Sequence, residues 1–383
     1  MNAMTYFTMY SYNFCWPVRT LRVPDINDRW RPRTPAMAAD QGVQTMKRFL
    51  SILILSTALF LFVGCSSTAR PTPLEMTFVP AEGKQPPDPL VGPPYVTAKS
   101  WAVADGQTAD VLWHQNGTEP RKIASTTKIM TAYLVTELAL ENPAILDETI
   151  NVSPLAGDTS GSGARLEPAD QVSVREMLYG LMLPSGNDAG NALAEHFNDR
   201  FKKPLPQDPE YYPPLEGDSR QNFIAEMTRR AKSLGMNDTF YRSPYNDQND
   251  LDASRANLTQ EEIRNSFTTT AADLARLAFN ALKNPLFYHY VNTRRYVGTL
   301  KKPDGASRQV TWNNTNQLLD IQGFDGVKTG TTSAAGNCLV SHGTRGKDSL
   351  IIVVLGSTSG EGRYVDSRNL YRWAWLQLGH RRP

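Results

Sequence analysis

Strand signals stand at both ends of the foldable part of this chain, and helix signals fill its middle. Ser100–Ala104 and Asp110–His114 read as a hairpin around the Asp105-Gly106 turn. A helix is predicted from about Ser125 to Leu140, with Ile129, Tyr133 and Val135–Leu138 on its buried face. Ser173 through Glu176 form a capping-box pattern that opens a helix carrying Met177, Leu178, Leu181 and Met182. Pro184 breaks it, and further helices are predicted over Asp188–His196, Gln221–Leu234 and Thr270–Leu282. Strands come next at Arg295–Leu300, Arg308–Trp312, Gly326–Thr332, Asn337–Thr344 and Leu350–Leu355, then a last helix over Gly362–Leu378. This order predicts one α+β domain over residues 96–383, its sheet drawing strands from both ends. The polar stretches 198–219 and 244–266 read as surface insertions.

Upstream of that domain the chain carries an address. Lys47 and Arg48 come after Met46, the fifteen residues Phe49–Val63 hold no charge, and Gly64-Cys65 closes the segment. A basic n-region, a short apolar h-region and small residues before a cysteine read as a signal peptide over 46–64. The apolar run is shorter than the roughly 20 residues a membrane-spanning helix needs. The Gly-Cys order resembles the lipobox of bacterial lipoproteins, with Phe62 where Leu is usual. That resemblance implies that Cys65 becomes the lipidated first residue, anchoring the protein to a membrane in the cell envelope, outside the cytoplasm. Residues 1–45 show no clear period and read as an unstructured upstream extension. Residues 66–95 contain eight prolines, so the segment from Cys65 to residue 95 reads as anchor and semi-rigid spacer.

Charge and cysteine usage remove several classes. Forty Lys/Arg against 38 Asp/Glu give a net +2, without the basic excess a nucleic-acid partner would need. Three cysteines cannot build a disulfide framework, and neither they nor the five histidines have zinc-ligand spacing, so no metal or other cofactor is implied. His196 and Cys338 read as structural residues.

Three short motifs occur in order: Ser125-Thr126-Thr127-Lys128, Ser185-Gly186-Asn187 and Lys328-Thr329-Gly330. They fall on a helix start, an interhelical loop and a strand respectively. Such a trio occurs in the β-lactamases and penicillin-binding proteins. Residues three apart on a helix share a face, so Lys128 Nζ can reach Ser125 Oγ. A serine hydroxyl attacks only when a neighbour takes its proton. Lysine can do so only when neutral, which burial and a second cation such as Lys328 would favour. The N–H groups of Ser125 and Thr331 could form an oxyanion hole. Ser185 could relay a proton to a leaving amine, Asn187 could donate to a substrate amide carbonyl, and Lys328 and Thr329 could hold a carboxylate.

Longer segments extend the likeness. Ile123–Ala132, Pro184–Ala189, Gly326–Thr332 with Ala335-Gly336, and Asn314-Thr315-Asn316 together resemble the serine-type D-alanyl-D-alanine carboxypeptidases, the low-molecular-mass penicillin-binding proteins. The resemblance spans about Val96 to Leu378. It implies a penicillin-binding-protein/β-lactamase-like transpeptidase fold, an antiparallel sheet flanked by helices with a helical lobe. It implies Ser125 as acyl-enzyme nucleophile, Lys128 as proton acceptor, Ser185 as auxiliary catalytic residue and Lys328 as substrate binder. It also implies peptidoglycan stem peptides as substrates and β-lactams as covalent inhibitors.

A D,D-endopeptidase cutting peptidoglycan cross-links would carry the same trio. A β-lactamase would need a deacylating Glu past the second motif; Glu210 and Glu216 lie there without the expected pattern. A catalytically idle wall-binding lipoprotein would not need an intact trio.

Overall fold

Leu350–Leu355 is an uninterrupted run of six apolar residues, and such a strand has to be covered on both faces. The computed structural model describes residues 92–208, 211, 218–245 and 268–380. The segment 46–64, Cys65, Glu210, Glu216 and nearly all of 244–266 lie outside the described residues. In chain order the elements are β1 (Ser100–Asp105), β2 (Val111–Gln115), β3 (Arg121–Lys122), α1 (Lys128–Glu141), β4 (Thr149–Asn151), α2 (Pro154–Gly157), β5 (Gln171–Ser173), α3 (Val174–Met182) and α4 (Asn187–Phe197). Next come α5 (Gln221–Ser233), β6 (Thr268–Thr269), α6 (Ala271–Leu282), α7 (Pro285–Asn292), β7 (Arg295–Lys301), β8 (Ser307–Asn313), β9 (Phe324–Thr332), β10 (Gly336–Arg345), β11 (Asp348–Ser357) and α8 (Gly362–His380).

The main sheet is antiparallel in the order β2-β1-β11-β10-β9, so the last strand lies at its centre and pairs with the first, Ser100 opposite Leu355. Alternation along these strands splits the core in two. Trp101, Val103, Ile352 and Val354 face α8 and pack with Leu370, Tyr371 and Trp373. Ala102, Ala104, Ile351 and Val353 share the other core with the helices of the middle of the chain, including Ile129, Leu134 and Leu274. Both faces are apolar because both are covered.

One expectation needs correcting. The hairpin β7–β8 does not extend the main sheet but joins β4 and β5 in a separate four-stranded sheet, order β4-β5-β7-β8. In β8 only Val310 and Trp312 are buried, and the residue between them is exposed. A strand wet on one face suits a small outer sheet rather than a covered central one. Periodicity reports how many faces are buried, not which strand lies alongside.

One helix start also differs, and one further helix is present. The residues Ala124–Thr127 form a 3-10 turn, and the α-helix proper starts at Lys128. α7 was not anticipated, although Asn284-Pro285 is a start signal: Asn284 Oδ1 accepts from Leu286 N at 2.9 Å and Phe287 N at 3.2 Å, with Pro285 in the first turn. Of the predicted capping box the N-cap half forms, Ser173 Oγ accepting from Glu176 N at 3.2 Å, while Glu176 Oε1 accepts from Thr299 N of β7 at 2.9 Å.

Candidate active site

The 3-10 turn places Ser125 and Lys128 one above the other, since side chains three apart eclipse in that geometry. Lys128 Nζ donates to Ser125 Oγ at 2.9 Å, to Asn187 Oδ1 at 2.7 Å and to Ser185 Oγ at 3.4 Å. Lys128 is 0% exposed, so these oxygens stand in for the water a surface lysine would have. Its Nζ also lies 5.6 Å from the centroid of the Tyr245 ring. An ammonium has three N–H donors; a neutral amine has two and a lone pair, which can accept the Ser125 proton in the same geometry. The cluster therefore suits both the charged and the neutral lysine.

Ser185 and Asn187 arrive on the turn between α3 and α4. Ser185 adopts a left-handed backbone, φ 66°, a conformation that costs a non-glycine residue about 1–3 kcal/mol. The turn is held by Gly186 N donating to Gly180 O at 3.0 Å and Asn187 N donating to Ser162 O at 2.7 Å. Gly186 is required here, because a Cβ would meet Asp188 Oδ1 at 2.6 Å and Gly180 O at 2.7 Å. One amide hydrogen of Asn187 already goes to Ser160 O at 2.8 Å, leaving the other for a ligand. Asp188, buried beside it, accepts from Ala164 N and Ala189 N at 2.8 Å and Leu166 N at 3.1 Å. Burial pushes the Asp188 carboxyl above its usual range, partly offset by those three N–H groups. Asp188 thus ties the 160–166 loop to the second motif.

Lys328, Thr329 and Thr331 lie on β9, which runs directly beside the 3-10 turn. A Cβ on Gly330 would sit 2.8 Å from Ile123 O and 3.1 Å from Ser125 N, so the two backbones touch. The two expected oxyanion donors, the N–H groups of Ser125 and Thr331, therefore come from adjoining segments. Lys328 is buried and donates to Thr329 O at 3.1 Å. Burial, and then the Arg363 guanidinium, lower its pKa to about 7. Thr329 Oγ1 is 2.7 Å from Thr315 Oγ1, and Asn316 Nδ2 donates to Gly326 O at 2.8 Å, so the 314–316 segment braces β9.

Arg363 was not singled out from the sequence. Its Nη1 donates to Thr331 Oγ1 at 2.9 Å and Gly330 O at 3.1 Å, bringing a cation from α8 onto the edge of the third motif. A signal existed: a basic residue in the first turn opposes the helix dipole and so asks for a partner elsewhere. His196 and Cys338 fit their structural reading. His196 Nε2 is 2.8 Å from Glu148 Oε2. Cys338 is fully buried, which pushes its thiol up to about 11.

The arrangement supplies a serine beside a buried amine, a second hydroxyl on that amine, and two cations on one strand edge. That set suits acyl transfer from a substrate bearing a carboxylate. Comparison with known proteins points the same way. Residues 88–201 and 215–359 match the D-alanyl-D-alanine carboxypeptidase family. The D-alanyl-D-alanine carboxypeptidase of Streptomyces sp. K15 is 32% identical over 299 residues, covering 76% of this chain and 92% of that protein. DacF of Bacillus subtilis is 28% identical over 335 residues, covering 87% and 72%. The Streptomyces K15 DD-transpeptidase structure superposes with a TM-score of 0.61 at 31% identity, over 74% of this chain and 99% of that one.

Proposed function

We propose, from the premise that this chain belongs to the D-alanyl-D-alanine carboxypeptidase family and is a serine-type carboxypeptidase of that kind, specific roles for the residues gathered at its cleft. Such enzymes act on the cell wall, taking peptidoglycan stem peptides as substrate and binding β-lactams. Ser125 Oγ attacks the carbonyl of the penultimate D-Ala while its proton passes to neutral Lys128 Nζ. The N–H groups of Ser125 and Thr331 hold the oxyanion, a contribution worth about 2.7–4 kcal/mol per donor in comparable sites. Collapse breaks the peptide bond, and Ser185 relays the proton from Lys128 to the departing D-Ala amine. Water then releases the shortened peptide from Ser125. Asn187 orients the acyl part, while Lys328, Thr329 and Arg363 bind the terminal carboxylate. The observation that carries this reading is the Lys128 amine, buried and bonded to Ser125 Oγ at 2.9 Å.

The choice between carboxypeptidase and endopeptidase turns on the group attached beyond the scissile bond. Relatives of both kinds exist: the Escherichia coli D-alanyl-D-alanine endopeptidase is 27% identical over 282 residues. A free D-Ala carboxylate attracts the two cations, whereas a cross-link presents an amide-linked chain there. The pairing of Arg363 with Thr331 beside Lys328 favours the carboxylate. We also assign residues 46–64 to a signal peptide, Cys65 to a lipid anchor and 66–95 to its tether.

The test is mass spectrometry of the protein after benzylpenicillin, with chromatography of D-Ala released from a monomeric pentapeptide and of products from a cross-linked dimer. One acyl adduct on Ser125, absent in Ser125→Ala, and faster release of D-Ala than cleavage of the dimer are expected. Labelling of Ser125→Ala would remove the nucleophile assignment. Cleavage of the dimer alone would replace the carboxypeptidase by the endopeptidase.

A further inference from the structure

Beside the catalytic cluster, on the helical side, lies a cavity of about 370 Å³ lined by residues that include Leu155, Asp158, Ser160, Asn191 and Tyr245. Two of its wall residues connect to Lys128, one through Asn187 and one directly. Ser160 offers its carbonyl to Asn187 Nδ2 at 2.8 Å, and Asn187 Oδ1 in turn accepts from Lys128. Tyr245 places its ring 5.6 Å from Lys128 Nζ. Deep in the cavity Asn191 is occupied on both sides, donating to Thr159 Oγ1 at 2.8 Å and accepting from Arg220 Nη1 at 2.6 Å. Asp158 differs: it is exposed, and among the described residues it makes no ion pair and is the one charged side chain lining the cavity.

We propose that this cavity is the subsite for the residue preceding D-Ala-D-Ala, and that Asp158 reads a free ammonium at the end of that residue's side chain. This rests on the carboxypeptidase reading above, which fixes the direction of the substrate. With the terminal carboxylate at Lys328, Thr329 and Arg363 on β9, the acyl part leaves Ser125 on the opposite side. It passes Asn187 and enters the cavity one residue, or about 3.5 Å of chain, further on. The apolar stem of a diamino side chain lies along Leu155 and the Tyr245 ring, as long cationic side chains commonly do. Its ammonium meets the Asp158 carboxylate at the water-filled mouth.

The consequence concerns cross-linking. In a cross-link the side-chain amine of the acceptor stem is acylated and uncharged. A subsite that reads the ammonium therefore favours stems that have not yet served as acceptors, and the enzyme trims those first.

Two synthetic peptides separate the possibilities, both ending in L-Lys-D-Ala-D-Ala, one with a free Nε amine and one Nε-acetylated. D-Ala release is measured with wild type, Asp158→Asn and Asp158→Lys. Asp158 is exposed, so the variants should fold, and their acylation by benzylpenicillin, whose acyl side chain carries no ammonium for Asp158 to read, should match wild type. For the free amine, Asp158→Asn should lower kcat/KM by up to about fivefold, the range of a solvent-screened ion pair, and Asp158→Lys by more. For the acetylated peptide both variants should match wild type. Equal losses on both peptides, or none on either, overturn the subsite. Failure of the wild type to release D-Ala from either peptide would instead overturn the carboxypeptidase reading on which it rests.

Discussion

A lysine with no water around it is costly to keep charged, and Lys328 is only 1% exposed. Its pKa of about 7 means that it changes charge within the working range of an enzyme. In the folded protein it is an ammonium below that pH and neutral above, whereas in the unfolded chain it stays charged to about 10.4. The unfolded state therefore holds one more proton between those values, and the contribution of Lys328 to stability rises with pH across that window. Binding of an anionic substrate runs the other way. Only the protonated form attracts a carboxylate, so kcat/KM for a D-Ala-D-Ala peptide should fall as pH rises through about 7. A bound carboxylate favours the ammonium, so the same limb in kcat should lie at higher pH. Lys328→Arg, which cannot lose its proton in this range, should lack the limb. Stopped assays from pH 5.5 to 9.5 check this; a limb unchanged in Lys328→Arg would assign it elsewhere. The sequence made Lys328 visible through its motif, but not Arg363, the cation that adds to the effect of burial, because the two are brought together only when α8 packs against β10 and β11.

At the scale of elements, the site depends on β9 lying against the 3-10 turn, and Gly330 is where they touch. A methyl group there would sit 2.8 Å from Ile123 O, which is backbone and cannot swing away. Gly330→Ala should cost about 1–3 kcal/mol, the range for overpacking a tight contact. It should slow benzylpenicillin acylation at least tenfold, because Thr331 moves away from Ser125. Thermal unfolding and acylation rates measured together check both; a stable variant with an unaltered rate would mean that β9 and the turn can part without harm to the site. Spacing made much of this site legible. An i, i+3 pair shares a face whether the turn is 3-10 or α, so placing Ser125 beside Lys128 survived a wrong helix start. The middle residue of Ser185-Gly186-Asn187 shows where the sequence was silent. A motif written with any residue there hides that only glycine fits between Gly180 O and Asp188. The partners of β7 and β8 were equally hidden, since alternation reports a wet face and a dry one but names no neighbour.

At the scale of the whole molecule, the chain closes on itself. β1 enters near the start of the described residues and pairs along its length with β11, near their end. Contacts that far apart in sequence are what motif reading cannot supply, although strand signals at both ends of the chain made a shared sheet the natural expectation. The residues assigned to the site all lie between Ser125 and Arg363, so the chemistry belongs to this domain, and the proposed anchor should govern location alone. A single acyl chain gives only marginal membrane binding, and stable anchoring takes two. A multiply acylated Cys65 would meet that requirement, and the eight prolines after it would make a spacer of roughly 3.1 Å per residue. Cys65→Ala, expressed in a bacterium that processes lipoproteins, should therefore move the protein from the membrane fraction to the soluble extracytoplasmic fraction, or leave it as unprocessed precursor. The released protein should be acylated by benzylpenicillin at the wild-type rate and release D-Ala from soluble pentapeptide with unchanged kcat/KM. Metabolic labelling with a palmitate analogue should mark wild type and not the variant. A processed Cys65→Ala protein that stays with the membrane would overturn the lipid anchor. A soluble variant with impaired acylation would overturn the separation of anchor from chemistry.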